Sequence, residues 1–269
     1  MASAIRLVCI DVDGTLVGSG GAVNERVWPA AARAREAGVA LAVCSGRPGF
    51  GVTRALAARV DPSGWHCFQN GASVIHLGSG QSRSAALSPN AVAMLIERAR
   101  RVNRPLELYS DAEYVTECDA EILRRHAGFL GVPFAPRAYE SLGGAVVRGQ
   151  WLLTHDEAPA VLAEPHPELE VSPSLAPAMP DGVFVNLTRT GVDKGYAVRV
   201  IAAECGVALE DVMYVGDGFN DTPAMRIVGH PVAMGNAEEV AREVASRSVG
   251  NVDDGGLADA LELAVDGVR

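Results

Sequence analysis

An α/β fold, a doubly wound parallel sheet with a smaller α+β domain inserted into it, is predicted by three observations. Short aliphatic runs at 5–10, 39–44 and 212–215 lack period-2 alternation and read as strands buried on both faces. A helix-length segment follows the first of them, as a parallel connection requires. Each run ends in a small polar cluster, which gathers the chemistry along one edge of the sheet.

The chain has 269 residues, enough for a substantial core in one large domain or two modest ones. Its formal net charge of -10 argues against nucleic acid or an anionic membrane as partner. An acidic protein that handles a small anion must concentrate its few cations at one site. Residues 1–10 carry one arginine and a short apolar run followed at once by acids, which is not a signal-peptide pattern. No apolar stretch approaches the ~20 residues of a bilayer span. Cys9, Cys44, Cys67, Cys118 and Cys205 form no C-x-x-C pair and suit reduced thiols in the cytoplasm, and the histidines lack zinc-ligand spacing. The expected assembly is a monomer or homodimer.

The first strand runs into Asp11-Val12-Asp13-Gly14-Thr15. Gly18 to Gly21 is a loop, Asn24 caps a helix over 25–37 that Gly38 ends, and the strand at 39–44 closes on Ser45-Gly46-Arg47-Pro48. This strand–helix–strand unit puts both polar clusters at the same sheet edge. A helix over 50–59 follows, then a turn at Asn70-Gly71 before a short strand, then a hairpin turn at 78–81. From Leu87 the pattern changes. Ser88-Pro89 starts a helix with Val92, Leu95, Ile96 and Ala99 on one face; 106–109 and 114–116 are a strand pair, 120–130 a helix and 145–154 a strand. Prolines 159, 165, 167, 173, 177 and 180 mark loops. Strand-end acids are missing from this stretch, so 86–184 reads as a domain inserted into a core formed by 1–85 and 185–269. The core resumes with a strand at 184–188, a turn at 191–195, a helix over 196–205, the strand at 212–215 closed by Gly216-Asp217-Gly218-Phe219-Asn220-Asp221, a short strand at 231–234, a helix through Ala245 and a terminal helix over 257–265.

Residues i and i+2 of an extended chain share a side, so Asp11 and Asp13 are expected to converge. Two anions that close call for a hard divalent cation with oxygen ligands, Mg²⁺ first among them; the alternative is a plain strand-to-turn connection with Asx hydrogen bonds. Asp11/Asp13, Ser45, Lys194, and Asp217 with Asn220 and Asp221 then meet beyond the strand ends. Carboxylates for a metal, with an ammonium, a hydroxyl and glycine-freed backbone N–H groups for oxyanions, suit a metal-bound phosphoryl group. Asn220 and Asp221 stand i+3 and i+4 from Asp217 and would share a face of an opening helical turn. Structural readings stay open for single residues: Ser45 as an N-cap, Arg47 paired with an acid, Asp221 as a helix-start acid, Lys194 as a solvated charge. The last is disfavoured, because a cation at a helix start needs an anion beside it.

Taken in order, Asp11-Val12-Asp13-Gly14-Thr15, Ser45-Gly46-Arg47, Gly191-Val192-Asp193-Lys194-Gly195 and Gly216-Asp217-Gly218-Phe219-Asn220-Asp221 resemble the motifs of the haloacid dehalogenase-like superfamily, and most closely its Cof-type sugar phosphatases. The resemblance covers the whole chain, including Asn70-Gly71-Ala72 and Gly235-Asn236-Ala237. It implies a Rossmann-like core, an α/β cap that selects substrate, and Mg²⁺ as cofactor. It further implies that Asp11 is the nucleophile that forms an aspartyl-phosphate. Asp13 would be the general acid and then base, a role that asks for partial burial beside an anion. The Asp11 carboxylate, the Asp13 backbone carbonyl and the Asp217 carboxylate would ligate the metal. Ser45, Gly46, Arg47, Asn70, Lys194 and Asn220 would hold phosphate or substrate, with Asp221 orienting them from behind. Two departures stand out: Ala224, with Met225 next, where the family places Met, and Cys44-Ser45 where Thr-Gly is frequent. Tyr109, Tyr114, Arg148, Trp151 and His155 are candidates for a substrate cleft, equally readable as surface or core.

The expected activity is Mg²⁺-dependent hydrolysis of a small phosphorylated metabolite, a sugar phosphate first among the candidates. The runner-up is a phosphotransferase of the phosphomannomutase type, which passes the phosphoryl group to another sugar hydroxyl. Intact Asp11 and Asp13 disfavour a non-catalytic sensor, the inserted region disfavours a receiver-type domain, and no G-x-G-x-x-G follows the first strand to bind a dinucleotide.

Overall fold

The computed structural model describes residues 4–176 and 179–266. In chain order the elements are β1 (Leu7–Ile10), α1 (Val27–Glu36), β2 (Ala40–Val43), α2 (Val52–Val60), β3 (Trp65–Phe68), β4 (Ser73–His76), α3 (Pro89–Val102), β5 (Leu106–Tyr109), β6 (Tyr114–Val115), α4 (Glu121–Leu130), β7 (Arg148–Thr154), α5 (Ala158–Leu162), β8 (Leu169–Ala176), β9 (Met179–Arg189), α6 (Lys194–Cys205), β10 (Val212–Gly216), α7 (Thr222–Met225), β11 (His230–Ala233), α8 (Glu239–Val244), β12 (Arg247–Ser248) and α9 (Gly256–Asp266). They form two compact units, one from 1–47, 53–83 and 193–269, the other from 48–52 and 84–192. Among the described residues no helix is long and apolar enough to cross a membrane.

The first unit is built on a parallel sheet in the order β12-β11-β10-β1-β2. Within it β1 is paired on both sides, with Ile10 opposite Val43 of β2 and Val215 of β10. Side chains alternate across it. Val8 and Ile10 join a core with Ala30, Ala34, Leu257 and Leu261 of α1 and α9, while Leu7 and Cys9 join Ala197, Val198 and Ile201 of α6 on the opposite face. Both faces are thereby covered, which is why the strand sequences are apolar throughout, and each such buried aliphatic side chain contributes about 1.5–3 kcal/mol. The hairpin of β3 and β4 extends this edge through an isolated parallel backbone pairing of Cys44 with Cys67, whose thiols are both free. Asn24 does not cap α1 as expected; its Oδ1 accepts from the Arg26 N–H at 3.1 Å in a turn that precedes the helix.

The second unit is an antiparallel sheet in the order β6-β5-β7-β9-β8. Leu106, Leu108, Trp151, Leu153, Val185 and Leu187 pack with Leu95 and Ala99 of α3. The alternate positions on the same strands are polar and also buried: Glu107, Tyr109, Arg148, Gln150, Asn186 and Thr188. Glu107 accepts from the Tyr109 hydroxyl at 2.5 Å and meets His126 of α4 at 2.9 Å, and Arg148 donates to Asn186 at 3.2 Å. Of the cleft candidates, Trp151 is core, Tyr109 and Arg148 sit in this polar network, the Tyr114 hydroxyl donates to the Pro133 carbonyl and His155 is exposed.

Two expectations are corrected here. The strand at 184–188 belongs to β9, antiparallel to β7 in the second unit, and the boundary falls at 192/193; β9 is buried along most of its length, so its sequence imitates a core parallel strand. Prolines 173 and 180 lie within β8 and β9 and Pro159 within α5, rather than in loops. Pro173 is tolerated because β8 is an edge strand, where no ladder donor is needed on the outer side, and Pro159 because the first helical turn has no N–H partner to lose. Pro177 lies outside the described residues.

Gly71, after β3, holds a φ of +104°, and an added Cβ would strike the backbone of Asp193. Gly71→Ala should therefore lower stability by about 1–3 kcal/mol, seen as a lower urea midpoint; an unchanged midpoint would refute this close approach.

Candidate active site

The register of β1 with its neighbours brings three strand ends together. Asp11 follows Ile10, Ser45 lies two residues beyond Val43, and Asp217 follows Gly216, all at the carboxyl edge. The Asp11 N–H extends the ladder to the Val215 carbonyl at 3.0 Å. The chain then turns sharply: Leu16 N–H bonds the Asp11 carbonyl at 3.2 Å, Val17 N–H bonds that of Val12 at 2.7 Å, and Gly14 takes a φ of +85°. A side chain on Gly14 would collide with the Asp217 carboxylate.

Lys194 comes from elsewhere. Asp193 caps α6 by accepting from the Tyr196 N–H at 2.7 Å, which makes Lys194 the first helical residue, and its buried Nζ donates to Asp11 Oδ1 at 2.5 Å and Asp221 Oδ1 at 2.7 Å. Asp221 is fully engaged. Its Oδ1 also takes the Tyr214 hydroxyl at 2.6 Å, and its Oδ2 takes the N–H groups of Asp217 and Gly218 at 3.0 and 2.9 Å. Asp217 is steadied by the Thr15 hydroxyl at 2.9 Å and sits within hydrogen-bonding reach of Asp11.

Oxygens of Asp11, Asp217 and Asp221 lie within 4.8 Å of one another, and a single ammonium bonds this group. The charges respond accordingly. Burial, then the charges of Asp221 and Asp217, push the Asp11 carboxyl well above its usual range against the pull of Lys194. Burial and Asp221 push Asp217 up to about 6. Burial opposes the Lys194 charge, but Asp11 and Asp221 outweigh it and hold the ammonium above its ordinary value. Hard oxygen donors carrying an excess of negative charge fit a divalent cation. Because Asp221 has its oxygens committed to four donors, Asp11 and Asp217 are the carboxylates able to hold one.

The other expected residues divide. Ser45 is buried, and its Oγ accepts from the Arg47 N–H at 3.0 Å, which leaves the hydroxyl hydrogen to donate. A Cβ on Gly46 would come within 3.1 Å of the Asn70 side chain, so glycine suits this close approach. Asn70 accepts from Asn220 at 3.0 Å. Asp13 does not converge with Asp11: its side chain is 57 % exposed and gripped at two points by Arg47, through Nε to Oδ2 at 2.9 Å and Nη2 to Oδ1. The i, i+2 argument assumed extended backbone, and the turn at Val12 ends it. The burial expected for an acid at Asp13 is likewise absent. Nor do Asn220 and Asp221 share a face; Asp221 folds inward onto its own turn while Asn220 is exposed. Sequence reasoning gave no role to two supports. Tyr214 carries the hydroxyl that holds Asp221, and a lone phenol in an aliphatic strand was its signal. Asn236 donates to the Gly14 carbonyl at 2.8 Å and accepts from the Val252 N–H at 3.0 Å, which ties down the loop after β1.

The sequence profile of haloacid dehalogenase-like hydrolases matches residues 8–131 and 173–261. The chain is similar to the putative phosphatase YxeH of Bacillus subtilis, 24% identical over 97% of this chain and 98% of that one. It is also similar to the same organism's 5-amino-6-(5-phospho-D-ribitylamino)uracil phosphatase YwtE, 21% identical over 98% and 99%. Among solved structures, a haloacid dehalogenase-like hydrolase from Bacteroides thetaiotaomicron superposes with a TM-score of 0.82 at 26% identity, covering 96% and 99%.

Two expectations follow from the geometry. Lys194→Met strands two buried carboxylates and should destabilise the protein by about 3–5 kcal/mol in urea denaturation; a loss below 1 kcal/mol would contradict the pairing. A carboxyl raised in the folded state stabilises below its unfolded value and loses that contribution as pH rises through its folded value. The metal-free protein should therefore lose stability between about pH 4 and about pH 6 through Asp217. Added Mg²⁺ should raise the thermal midpoint more at about pH 7.5 than at about pH 5, and equal shifts would count against it.

Proposed function

This chain belongs to the haloacid dehalogenase-like hydrolases of the Cof type and is a phosphatase, and we propose that it hydrolyses a sugar phosphate or similar small phosphomonoester through an aspartyl-phosphate on Asp11 with Mg²⁺ bound. The observation that carries this reading is the buried contact of Lys194 with Asp11 and Asp221, with Asp217 alongside. Burial and its acidic neighbours disfavour the Asp11 carboxylate, and Lys194 and a bound Mg²⁺ would favour it; once ionised it needs no base, but it does need fixed aim and a partner for the negative charge it must approach. Lys194 supplies both.

Asp11, the Asp13 backbone carbonyl and Asp217 would hold Mg²⁺, which supplies Lewis-acid neutralisation of the phosphoryl oxygens. In the first half-reaction an Asp11 oxygen bonds to phosphorus, the bond from phosphorus to the ester oxygen breaks, and Asp13 gives its proton to the departing alcohol. In the second, Asp13 takes a proton from water as the water oxygen bonds to phosphorus, releasing phosphate and restoring Asp11. Ser45 donates its hydroxyl hydrogen to a phosphoryl oxygen, Asn70 and Asn220 present their linked amides at the site's exposed side, and Asp221 keeps Lys194 and the Asp217 loop in place. The substrate class rests on the ribityl phosphate in the name of one relative. The second unit, which bears none of these groups, takes the role of selecting the organic part. A cytoplasmic site of action belongs to the same proposal and is supported by five free thiols.

The test is release of inorganic phosphate from a panel of sugar phosphates with and without Mg²⁺. Activity should require Mg²⁺, and Asp11→Asn should abolish it with an unchanged circular dichroism spectrum. Full turnover by Asp11→Asn would eliminate the covalent route, and isomerised sugar in place of free phosphate would favour the phosphotransferase.

A further inference from the structure

Arg47 stands in the loop after β2, and that loop is unusually well fixed. The Arg47 N–H donates to Ser45 Oγ at 3.0 Å, its carbonyl accepts from the Gln69 N–H at 2.9 Å, and the Ser45 carbonyl accepts from the Asn70 N–H at 3.1 Å. Gln69 and Asn70 hold φ of 56° and 53°, left-handed values that persist in non-glycine residues only where surrounding contacts enforce them. From this platform the guanidinium closes on both oxygens of Asp13. The pair is not needed to join β1 to β2, whose ladder is complete from Leu7–Ala40 to Ile10–Val43, and a partly exposed ion pair adds little to stability.

We propose that Arg47 is a positioning residue that acts through Asp13: it fixes the orientation of the carboxyl group that exchanges a proton with the ester oxygen and then with water. This rests on the function proposed above, in which Asp13 carries that proton. A two-point grip suits the task. When one Asp13 oxygen bears the proton, the other still accepts from the guanidinium, so the side chain keeps its aim through both half-reactions.

The test compares Arg47→Ala and Arg47→Lys with wild type on 4-nitrophenyl phosphate, whose leaving group needs no proton, and on alkyl phosphates, whose leaving groups do. Since general acid catalysis is worth about 10²–10⁴-fold, Arg47→Ala should lower kcat on alkyl phosphates at least about tenfold more than on 4-nitrophenyl phosphate. KM and the inhibition constant of inorganic phosphate should stay within about twofold, because positioning acts on the chemical step. Arg47→Lys, which keeps the charge and one contact, should recover part of the difference. In an Asp13→Asn background, Arg47→Ala should add no further selective loss. Equal slowing of all esters with weakened inorganic phosphate binding would make Arg47 a phosphate ligand and overturn this assignment alone. A wild-type protein inert towards every ester would remove the function and this assignment together.

Discussion

The site depends on one buried cation shared between two acids. Lys194 Nζ bonds both Asp11 and Asp221, three groups from three separate stretches of chain, and none of them reaches water to any extent. Taking such groups from water is unfavourable by several kcal/mol per ion, roughly offset only when geometry and further hydrogen bonds are good. Here they are good: Asp221 has four donors, and α6 is started by Asp193 so that Lys194 emerges at the right turn. A lysine at a helix N-terminus opposes the helix dipole, and the two carboxylates reverse that penalty. The same low-dielectric setting that makes the cluster difficult to assemble would make its charges effective on the phosphoryl group proposed to react there.

That cluster also explains the packing around it. Tyr214 is the one phenol among the aliphatic residues of β10, and Gly216 is small because a Cβ there would lie 2.5 Å from the Asp221 carboxyl carbon. Thr15 and Asn236 act in the same way on the other side, the first holding Asp217 and the second holding the Gly14 carbonyl. The sheet supplies the rigid part, and short polar side chains lock the loops that leave it.

Asp11, Ser45 and Asp217 were legible in the sequence because each follows an apolar run directly or nearly so, and parallel register fixes where such residues go. Lys194 was legible as a cation at a helix start, where only an anion makes it tolerable, although the strand thought to lead into it proved to be β9 of the antiparallel sheet. What failed was local geometry. Asp13 was assigned by strand periodicity three residues past the strand, where the backbone had already turned, and Asn220 and Asp221 by helical periodicity in a single tight turn whose acid bonds its own backbone. Periodicity holds only inside an element, and functional residues sit just outside. Pro173 shows the converse, since a proline that reads as a loop signal is harmless on an edge strand, and edge position is a property of topology that composition does not encode.

The turn after β1 gives two aspartates, two residues apart, opposite surroundings. Asp11 is buried with an ammonium and two further carboxylates, while Asp13 lies at the exposed side of the same loop with a guanidinium. Two carboxylates can perform different chemistry only if their environments differ, and an extended backbone would have placed them side by side in one environment. Breaking the strand at Val12, with Gly14 accepting the left-handed conformation that no side chain could share with Asp217, is what separates them. The glycine between the aspartates and Thr15 is thus a requirement of the proposed division of labour, and it acts through backbone geometry without contributing a functional group.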